Sequence, residues 1–403
     1  MDNLNVSVLG YGMMGVIRSL AYRGVVGYFK NAPIQPVLGY AACWNDGEKA
    51  MAERDGWKTF VGPDAWKKVI EQADADYVDI CLPNAAHYGA AMAAFDAGKH
   101  VFCEKPLSAN LEQGREMADK ADAHKELLNS VNFIYRRVPA NVYARKLARS
   151  GKFGRLIEAR MFYNQGWGWG ADGSWRFEKS HGGGAAGDLG SHSLDMLYYV
   201  TGLRPLELCA MQATHVKQRK WKKTFASQLS NMGAGQQAQD DFEIRDCDVD
   251  DAMRVMFTLD DNSAIGTLSV TRNACGSENQ NGYELRFEKG TIKFCFDEMN
   301  YLEVFDKTAE DPQLWGWSKI CTNRAVYGNY FDFADGHMIG YRDITVYGIL
   351  ENLRAIDAIK RGAAYESESP IATFRDAFNV QRTLAACDKS IAERCWVKLE
   401  DIK

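Results

Sequence analysis

Asp188 and His192 stand four residues apart in the segment Gly182–Asp195, GGGAAGDLGSHSLD. If that segment is helical from about Gly187, the two side chains share one face. A carboxylate so placed orients an imidazole and raises its basicity, and an imidazole that titrates near neutrality is a common general base. The chemistry this suits is removal of a hydroxyl proton while the carbinol carbon gives up a hydride. Lys105, in Glu104-Lys105-Pro106, offers an ammonium that can hydrogen-bond the reacting oxygen. Two blander roles stay open, with Asp188 as a helix cap and His192 as a packed core histidine. D-x-x-x-H is also a spacing seen around metals, but no third ligand can be named, so no metal is expected.

A hydride needs an acceptor. Gly10-Tyr11-Gly12-Met13-Met14-Gly15 is G-x-G-x-x-G, directly after the apolar run Val6–Leu9 and at the start of a helical pattern. In that context the first glycine permits a tight turn, the second lets backbone approach a pyrophosphate, and the third allows close helix–strand packing. The helix N-terminus then attracts the phosphate charge. At the end of the second apolar run stand Cys43-Trp44-Asn45-Asp46. No Arg or Lys waits there for a 2′-phosphate, and the nearest acid, Asp46, lies slightly beyond the usual place. NAD is expected, with NADP still open. Pro83-Asn84-Ala85-Ala86-His87 and Glu104-Lys105-Pro106 follow the next two apolar runs, at strand ends where doubly wound sheets bind ligands. The expected cofactor contacts are therefore Gly10, Tyr11, Gly12, Met13, Met14, Gly15, Trp44, Asn45, Pro83, Asn84, His87, Glu104 and Lys105.

Short β-rich runs (Val6–Leu9, Pro36–Cys43, Tyr77–Leu82, His100–Cys103) alternate with helical stretches, which implies a parallel sheet wound on both faces. After about residue 150 the texture changes. Leu156–Tyr163, Met253–Leu259, Ala264–Val270, Glu284–Glu288 and Thr291–Phe296 read as strands of a mostly antiparallel sheet. Residues 222–245 are polar and rich in Gly, Gln and Ser, and read as a long loop; the last ~60 residues read as helical. The fold class expected is α/β, with a dinucleotide-binding domain over 1–128 and a second domain, taken as the substrate-binding one, over 129–403. With 403 residues, two domains are the natural division.

Gln165–Phe177 carries Trp167, Trp169 and Trp175 between glycines. Flat indole faces suit the apolar side of a sugar ring or an aromatic aglycone, although such tryptophans also plug cores and subunit contacts. Arg136, Arg176 and Arg272 supply fork donors for hydroxyls or phosphates, and His337 lies in a loop-like stretch before the last helices. A net charge of −5 and a pI near 5.9 argue against a nucleic-acid binder. The one basic run, Lys217–Lys223, reads as a solvated loop or strand edge. Ten cysteines with no C-x-x-C pair read as reduced thiols. No signal segment or membrane span is visible, so a cytoplasmic protein is expected, without nucleic-acid or membrane partners.

GYGMMG, PNAAH, EKP, N-x-x-Y-R-R at Asn132–Arg137 and GGGAAGDLGSHSLD, in this order, resemble the Gfo/Idh/MocA oxidoreductase family over nearly the whole chain. The resemblance implies an N-terminal Rossmann domain and a C-terminal α/β domain whose open, mainly antiparallel sheet forms homo-oligomers. It implies catalytic roles for Lys105, Asp188 and His192. It adds Asn132, Trp175 and Arg176 as cofactor contacts. Taken with the residues above, the expected substrate contacts are Lys105, Tyr135, Arg136, Trp167, Trp175, Asp188, His192, Arg272 and His337. Trp175-Arg176-Phe177, Val249-Asp250-Asp251 and Thr271-Arg272-Asn273-Ala274 look nearest the branch of levoglucosan and glycoside 3-dehydrogenases. Such enzymes oxidise a ring hydroxyl, often C3 of a glucose unit, to a ketone. Three alternatives remain: a glycoside-cleaving enzyme working through a transient 3-keto intermediate, an inositol or polyol dehydrogenase, and a non-catalytic NAD-sensing protein. One departure concerns the cofactor, because the usual acid ending the second strand is replaced around Cys43 and Trp44.

Overall fold

The computed structural model describes residues 2–170, 172–222, 242–259, 263–323 and 334–403. It divides into two compact units. The first comprises Met1–Arg137 and Ile339–Phe378, the second Val138–Met338 and Asn379–Lys403.

The first unit is a Rossmann-type sheet. Strands β1 (Asp2–Leu9), β2 (Ile34–Cys43), β3 (Lys58–Val61), β4 (Tyr77–Ile80), β5 (His100–Cys103) and β6 (Asn129–Val131) are all parallel, in the order β3-β2-β1-β4-β5-β6. The order reverses between β1 and β4, which opens a crevice at their carboxyl ends. Every residue of β4 and β5 is buried, as expected for strands covered on both faces. Helices α1 (Met13–Tyr28), α2 (Asp46–Arg54), α3 (Ala65–Ile70), α4 (Asn84–Asp96) and α5 (Leu111–Ala123) make the crossovers. Four strands are visible in the sequence; β3 and β6 are additional, being short, half-polar or both. The helix Tyr341–Lys360 packs on α1 and on the single turn Ile134–Arg137. The first unit therefore takes back residues 339–378, and its sheet includes β6, so a division at 128/129 with everything later in one domain does not describe the contacts.

The second unit is built on a nine-stranded sheet. After α6 (Pro139–Arg149) come β7 (Leu156–Asn164), α7 (Ser191–Thr201), β8 (Pro205–Ala213), the hairpin β9 (Gln218–Lys222) and β10 (Phe242–Asp246), then β11 (Ala252–Leu259) and β12 (Ala264–Thr271). The sheet continues with β13 (Gln280–Phe287), β14 (Gly290–Cys295), β15 (Tyr301–Asp306), β16 (Gly316–Cys321) and the terminal β17 (Val397–Lys398). Its order is β16-β15-β14-β13-β7-β12-β11-β8-β17. Every pairing is antiparallel except β7 with β12, so the sheet is mixed and mainly antiparallel.

Alternation along β11 and β12 puts Val255, Phe257, Leu268 and Val270 on the buried face of the sheet. The opposite residues face out. Met211, Met256 and Ile265 are 67%, 53% and 60% exposed, beside the ion-pair lattice of Glu158, Arg286 and Glu284. The expected loop over 222–245 falls mostly outside the described residues, but its end is strand β10. Of the basic run, Lys223 lies outside them, and Arg219 is buried against Asp251 at 3.1 Å, not solvated. All ten cysteines are free thiols. No helix among the described residues is long and apolar enough to cross a membrane.

Candidate functional site

The glycine-rich turn has the shape that its spacing predicts. Gly10 has φ +97°, and a Cβ there would come within 2.7 Å of the Cys81 carbonyl oxygen. A Cβ on Gly15 would lie 2.2 Å from the Gly10 carbonyl oxygen. Gly12, by contrast, has nothing within 4 Å, so its backbone faces open space at the start of α1. No side chain caps that helix and no acid sits in its first turn, which leaves the amides of Met13, Met14 and Gly15 at the positive pole. This donor set fits a pyrophosphate. Tyr11, expected as a contact, is wholly buried, and its hydroxyl donates to Asp55 Oδ2 at 2.8 Å; it braces the turn from below.

Beyond β2, Trp44 is 44% exposed. Its amide donates to Glu48 Oε2 at 2.7 Å, and Asn45 Oδ1 accepts from the Glu48 amide at 2.9 Å. This is a reciprocal cap on α2. The Glu48 carboxylate, five residues beyond the end of β2, is thus engaged by the backbone of the strand–helix turn. Asn45, expected to touch the cofactor, has its side-chain oxygen spent likewise.

Lys105 follows β5, and its peptide bond to Pro106 is cis. The residue before it is fixed by a buried charge cluster to which no motif points. Glu104 Oε1 accepts from Arg18 Nη2 at 2.7 Å and from Asn132 Nδ2 at 2.8 Å. Arg18 Nε lies 3.6 Å from Asp79 Oδ2, which also accepts from the Tyr22 hydroxyl at 2.8 Å. Burial works against the Arg18 charge, but Asp79 and Glu104 outweigh it and raise its pKa. Burial pushes the Asp79 carboxyl up, with Arg18 opposing. Asn132, expected at the cofactor, therefore serves the Glu104 side chain.

His87 is a correction. It is wholly buried, with Nδ1 2.9 Å from the Pro106 carbonyl oxygen and Nε2 2.8 Å from that of Leu82. Burial pushes its pKa down, against both carbonyls and Glu104. The ring ties the turn after β5 to the turn after β4 and has no nitrogen left for a cofactor. Asn84 is buried in the first turn of α4, behind Pro83. Arg136 is also internal: Nη1 donates to the Ile371 carbonyl at 3.2 Å and lies 3.4 Å from Asp376, while Tyr135 is buried beside it.

Asp188 and His192 belong to the second unit, on one continuous helical segment. A π turn over Ala186–Gly190 carries Asp188 and runs directly into α7 with His192. Such single-turn insertions are uncommon and concentrate at functional positions. His192 is buried with its ring centroid 6.1 Å from that of Tyr163, the penultimate residue of β7. The Tyr163 hydroxyl donates to Asn279 Oδ1 at 2.6 Å, Gln165 Nε2 donates to the same oxygen at 2.8 Å, and Trp167 Nε1 donates to Gln165 Oε1 at 2.6 Å. A polar chain thus leads from beside the imidazole to the first indole of the tryptophan loop.

Trp167 is half-exposed, and Trp169, anchored by its Nε1 on the Asn273 carbonyl at 2.9 Å, stacks on His215. Trp175 carries the Arg176 guanidinium 4.4 Å above its ring. Arg272 is the second correction. Expected as a hydroxyl donor, it is fully buried, giving Nη1 to the Arg176 carbonyl and Nη2 to that of Gly184, with Asp188 Oδ2 3.5 Å away. His337 is exposed, with Nδ1 2.8 Å from the Ala334 carbonyl oxygen. Among the described residues, no group of three or more His, Cys, Asp or Glu is arranged to hold a metal ion.

Comparison with known proteins matches this division. Residues 4–133 fit the model "Oxidoreductase family, NAD-binding Rossmann fold", and residues 142–293 fit "GFO/IDH/MocA C-terminal domain". The chain is 33% identical to levoglucosan dehydrogenase of Pseudarthrobacter phenanthrenivorans over 100% of both chains. It is 35% identical to D-glucoside 3-dehydrogenase of Escherichia coli over 32% of this chain and 36% of that one. A solved levoglucosan dehydrogenase complex with NADH and levoglucosan superposes with a TM-score of 0.84 at 31% identity, covering 99% of this chain and 100% of that one. The open backbone at Gly12, the uncapped helix behind it and these matches make the first unit an NAD-binding Rossmann domain, and the chain belongs to the Gfo/Idh/MocA family of oxidoreductases.

Proposed function

We propose that the protein is an NAD-dependent dehydrogenase that oxidises a ring secondary hydroxyl, at C3 of a glucose unit in a glycoside or anhydrosugar, to the ketone. The observation that carries this reading is the helical segment that places Asp188 one turn before His192, with the Asp188 carboxylate against Arg272. The full-length likeness to levoglucosan dehydrogenase and the partial likeness to D-glucoside 3-dehydrogenase support a sugar substrate. The amides opening α1 and the backbone at Gly12 would hold the pyrophosphate of NAD, which when bound would supply the hydride acceptor. His192 takes the hydroxyl proton, Asp188 holds the imidazole in its basic form, and the Lys105 ammonium hydrogen-bonds the oxygen as it becomes a carbonyl. Trp167 and Trp175 offer flat faces to the ring.

Mixing the protein with NAD and a panel of glucosides, anhydrosugars and cyclitols is expected to give NADH absorbance with pyranosides, levoglucosan included. Turnover confined to inositols would move the substrate class, and aglycone release without net NADH would replace oxidation by cleavage through a keto intermediate. The exposed face with Met211, Met256 and Ile265 further supports a homo-oligomer formed through the sheet. Met256→Glu is expected to lower the molar mass measured by light scattering, and an unchanged mass would remove this face from the interface.

A further inference from the structure

We propose that Arg272 and Asp250 are positioning residues for the Asp188–His192 pair: a buried cation and a buried anion that pin the start of its helical segment and set the field at the Asp188 carboxylate. The proposal rests on the reading of Asp188 and His192 as the reacting pair. Nothing in the family likeness assigns the two residues this part, and Arg272 alone reads from sequence as a substrate donor.

The geometry converges on one loop. The Gly184 carbonyl accepts from the Asp188 amide at 3.1 Å and from Arg272 Nη2 at 2.6 Å. The same Nη2 lies 3.5 Å from Asp188 Oδ2, so one guanidinium nitrogen holds both the carbonyl that opens the helical segment and the carboxylate that the π turn presents. Two residues later Asp250 Oδ2 accepts from the Ala186 amide at 2.9 Å, and the Asp250 carbonyl accepts from the Ala185 amide at 3.1 Å. Asp250 Oδ1 comes so close to Gly184 that a Cβ there would stand 2.4 Å from it, and Gly184 has φ +113°. Only glycine fits both demands. Arg272 reaches this loop from the end of β12, Asp250 from just before β11, so the sheet registers the turn.

Asp188, Asp250, Asp251 and Arg176 act on Arg272, and burial pulls its pKa down against the three acids. Burial pushes the Asp250 carboxyl up, opposed by Arg272 and aided by Asp388 of the helix Phe374–Glu393. Asp388 in turn feels Lys179. Asp251 is engaged elsewhere, by Arg219 and by the amides of His215 and Val216. Arg272 therefore divides its field between Asp188 and Asp250. Removing the cation must make protonation of the Asp188–His192 pair easier, and removing the anion must make it harder. An opposite charge this close moves a carboxyl by about 1–3 pH units, and the acidic limb of kcat reports the pair as a unit.

The test is the pH profile of kcat for Arg272→Gln, Arg272→Lys and Asp250→Asn, with NAD affinity measured alongside by fluorescence. Arg272→Gln is expected to move the acidic limb up by about one unit or more and Asp250→Asn to move it down. Arg272→Lys, which keeps the charge but not the fork, is expected to keep the limb near its original place at reduced kcat, and NAD affinity is expected to hold in all three. Reduced kcat with an unmoved limb in both Arg272→Gln and Asp250→Asn makes the residues merely structural and overturns the proposal. If Arg272→Gln does not fold, Asp250→Asn decides alone, since the amide oxygen still accepts from Ala186 and only the charge is lost. His192→Ala separates the two levels: full turnover in it sinks the reading of the reacting pair, whereas a dead His192→Ala with unmoved limbs sinks only this inference.

Discussion

His192→Ala is expected to lower kcat by roughly 10²–10⁴-fold, the usual contribution of a positioned general base, while the protein still folds and still binds NAD. His192 lies in α7 of the second unit, and the residues that fit the pyrophosphate lie in the first, at Gly10–Gly15. The substitution therefore removes the proposed base and alters no residue of the phosphate cradle. Asp188→Asn keeps the shape and loses the charge, so it is expected to fall in the same direction. The double variant is expected to be little worse than His192→Ala alone, because groups that act as one unit do not add. Initial rates with saturating sugar, beside NAD titration by fluorescence quenching, check both. A variant that loses NAD affinity in proportion to kcat would mean that His192 supports the fold rather than the reaction.

The largest expected effect on stability lies at Arg18. Its guanidinium is fully buried between Asp79 and Glu104 and lies 4.0 Å over the Phe102 ring. Removing one partner of a buried ion pair leaves uncompensated charge and costs about 3–5 kcal/mol. Arg18→Leu leaves two such carboxylates, so unfolding by urea is expected to show a loss of at least that order. The loss should shrink as pH falls. With Arg18 gone, burial alone acts on Asp79, whose pKa is already raised with the cation present. The folded state then binds protons that the unfolded state, with ordinary carboxyls near about 4, does not. Stability in the variant therefore rises as pH drops from the raised folded value toward the ordinary one. An equal deficit at neutral and mildly acidic pH would contradict a charge origin. Glu104 also stands directly before Lys105, so the same variant is expected to lose kcat beyond its loss of folded protein.

The sequence made the proposed reacting groups easier to see than the groups that hold them. Gly10, Gly12 and Gly15 were legible because each glycine answers a separate steric demand, and the structure meets those demands at 2.7 Å, at open space and at 2.2 Å. Asp188 and His192 were legible as a helical pair, although the turn between them is π and not α. Arg18 and Asp79 carried no signal, and Asp250, though part of the Val249-Asp250-Asp251 match, carried none of its burial, since nothing in a sequence distinguishes a buried charge from a solvated one. The same blindness explains Arg272 and His87. Both are polar residues within recognisable motifs, and both spend their nitrogens on backbone carbonyls inside the protein.

Element boundaries failed for related reasons. The strand β3, Lys58–Val61, has four residues with partly exposed side chains, so it lacks the apolar run that marks β4 and β5. The return of residues 339–378 to the first unit rests on one long helix against α1, a contact between segments some three hundred residues apart that no local pattern can announce. Tyr163 became a neighbour of His192 only because β7 ends where α7 begins to cross it.

The central claim is that hydride leaves one ring carbon, C3 of a glucose unit, while His192 takes the adjoining proton. It is tested most directly with methyl glucoside deuterated separately at C2, C3 and C4, incubated with the protein and NAD, and read by mass spectrometry of the reduced cofactor. Deuterium is expected in the reduced cofactor from the C3-labelled sugar alone, and with His192→Ala the reduced cofactor is expected to form roughly 10²–10⁴-fold more slowly. Label arriving from C2 or C4, or unlabelled reduced cofactor from all three sugars, would contradict it.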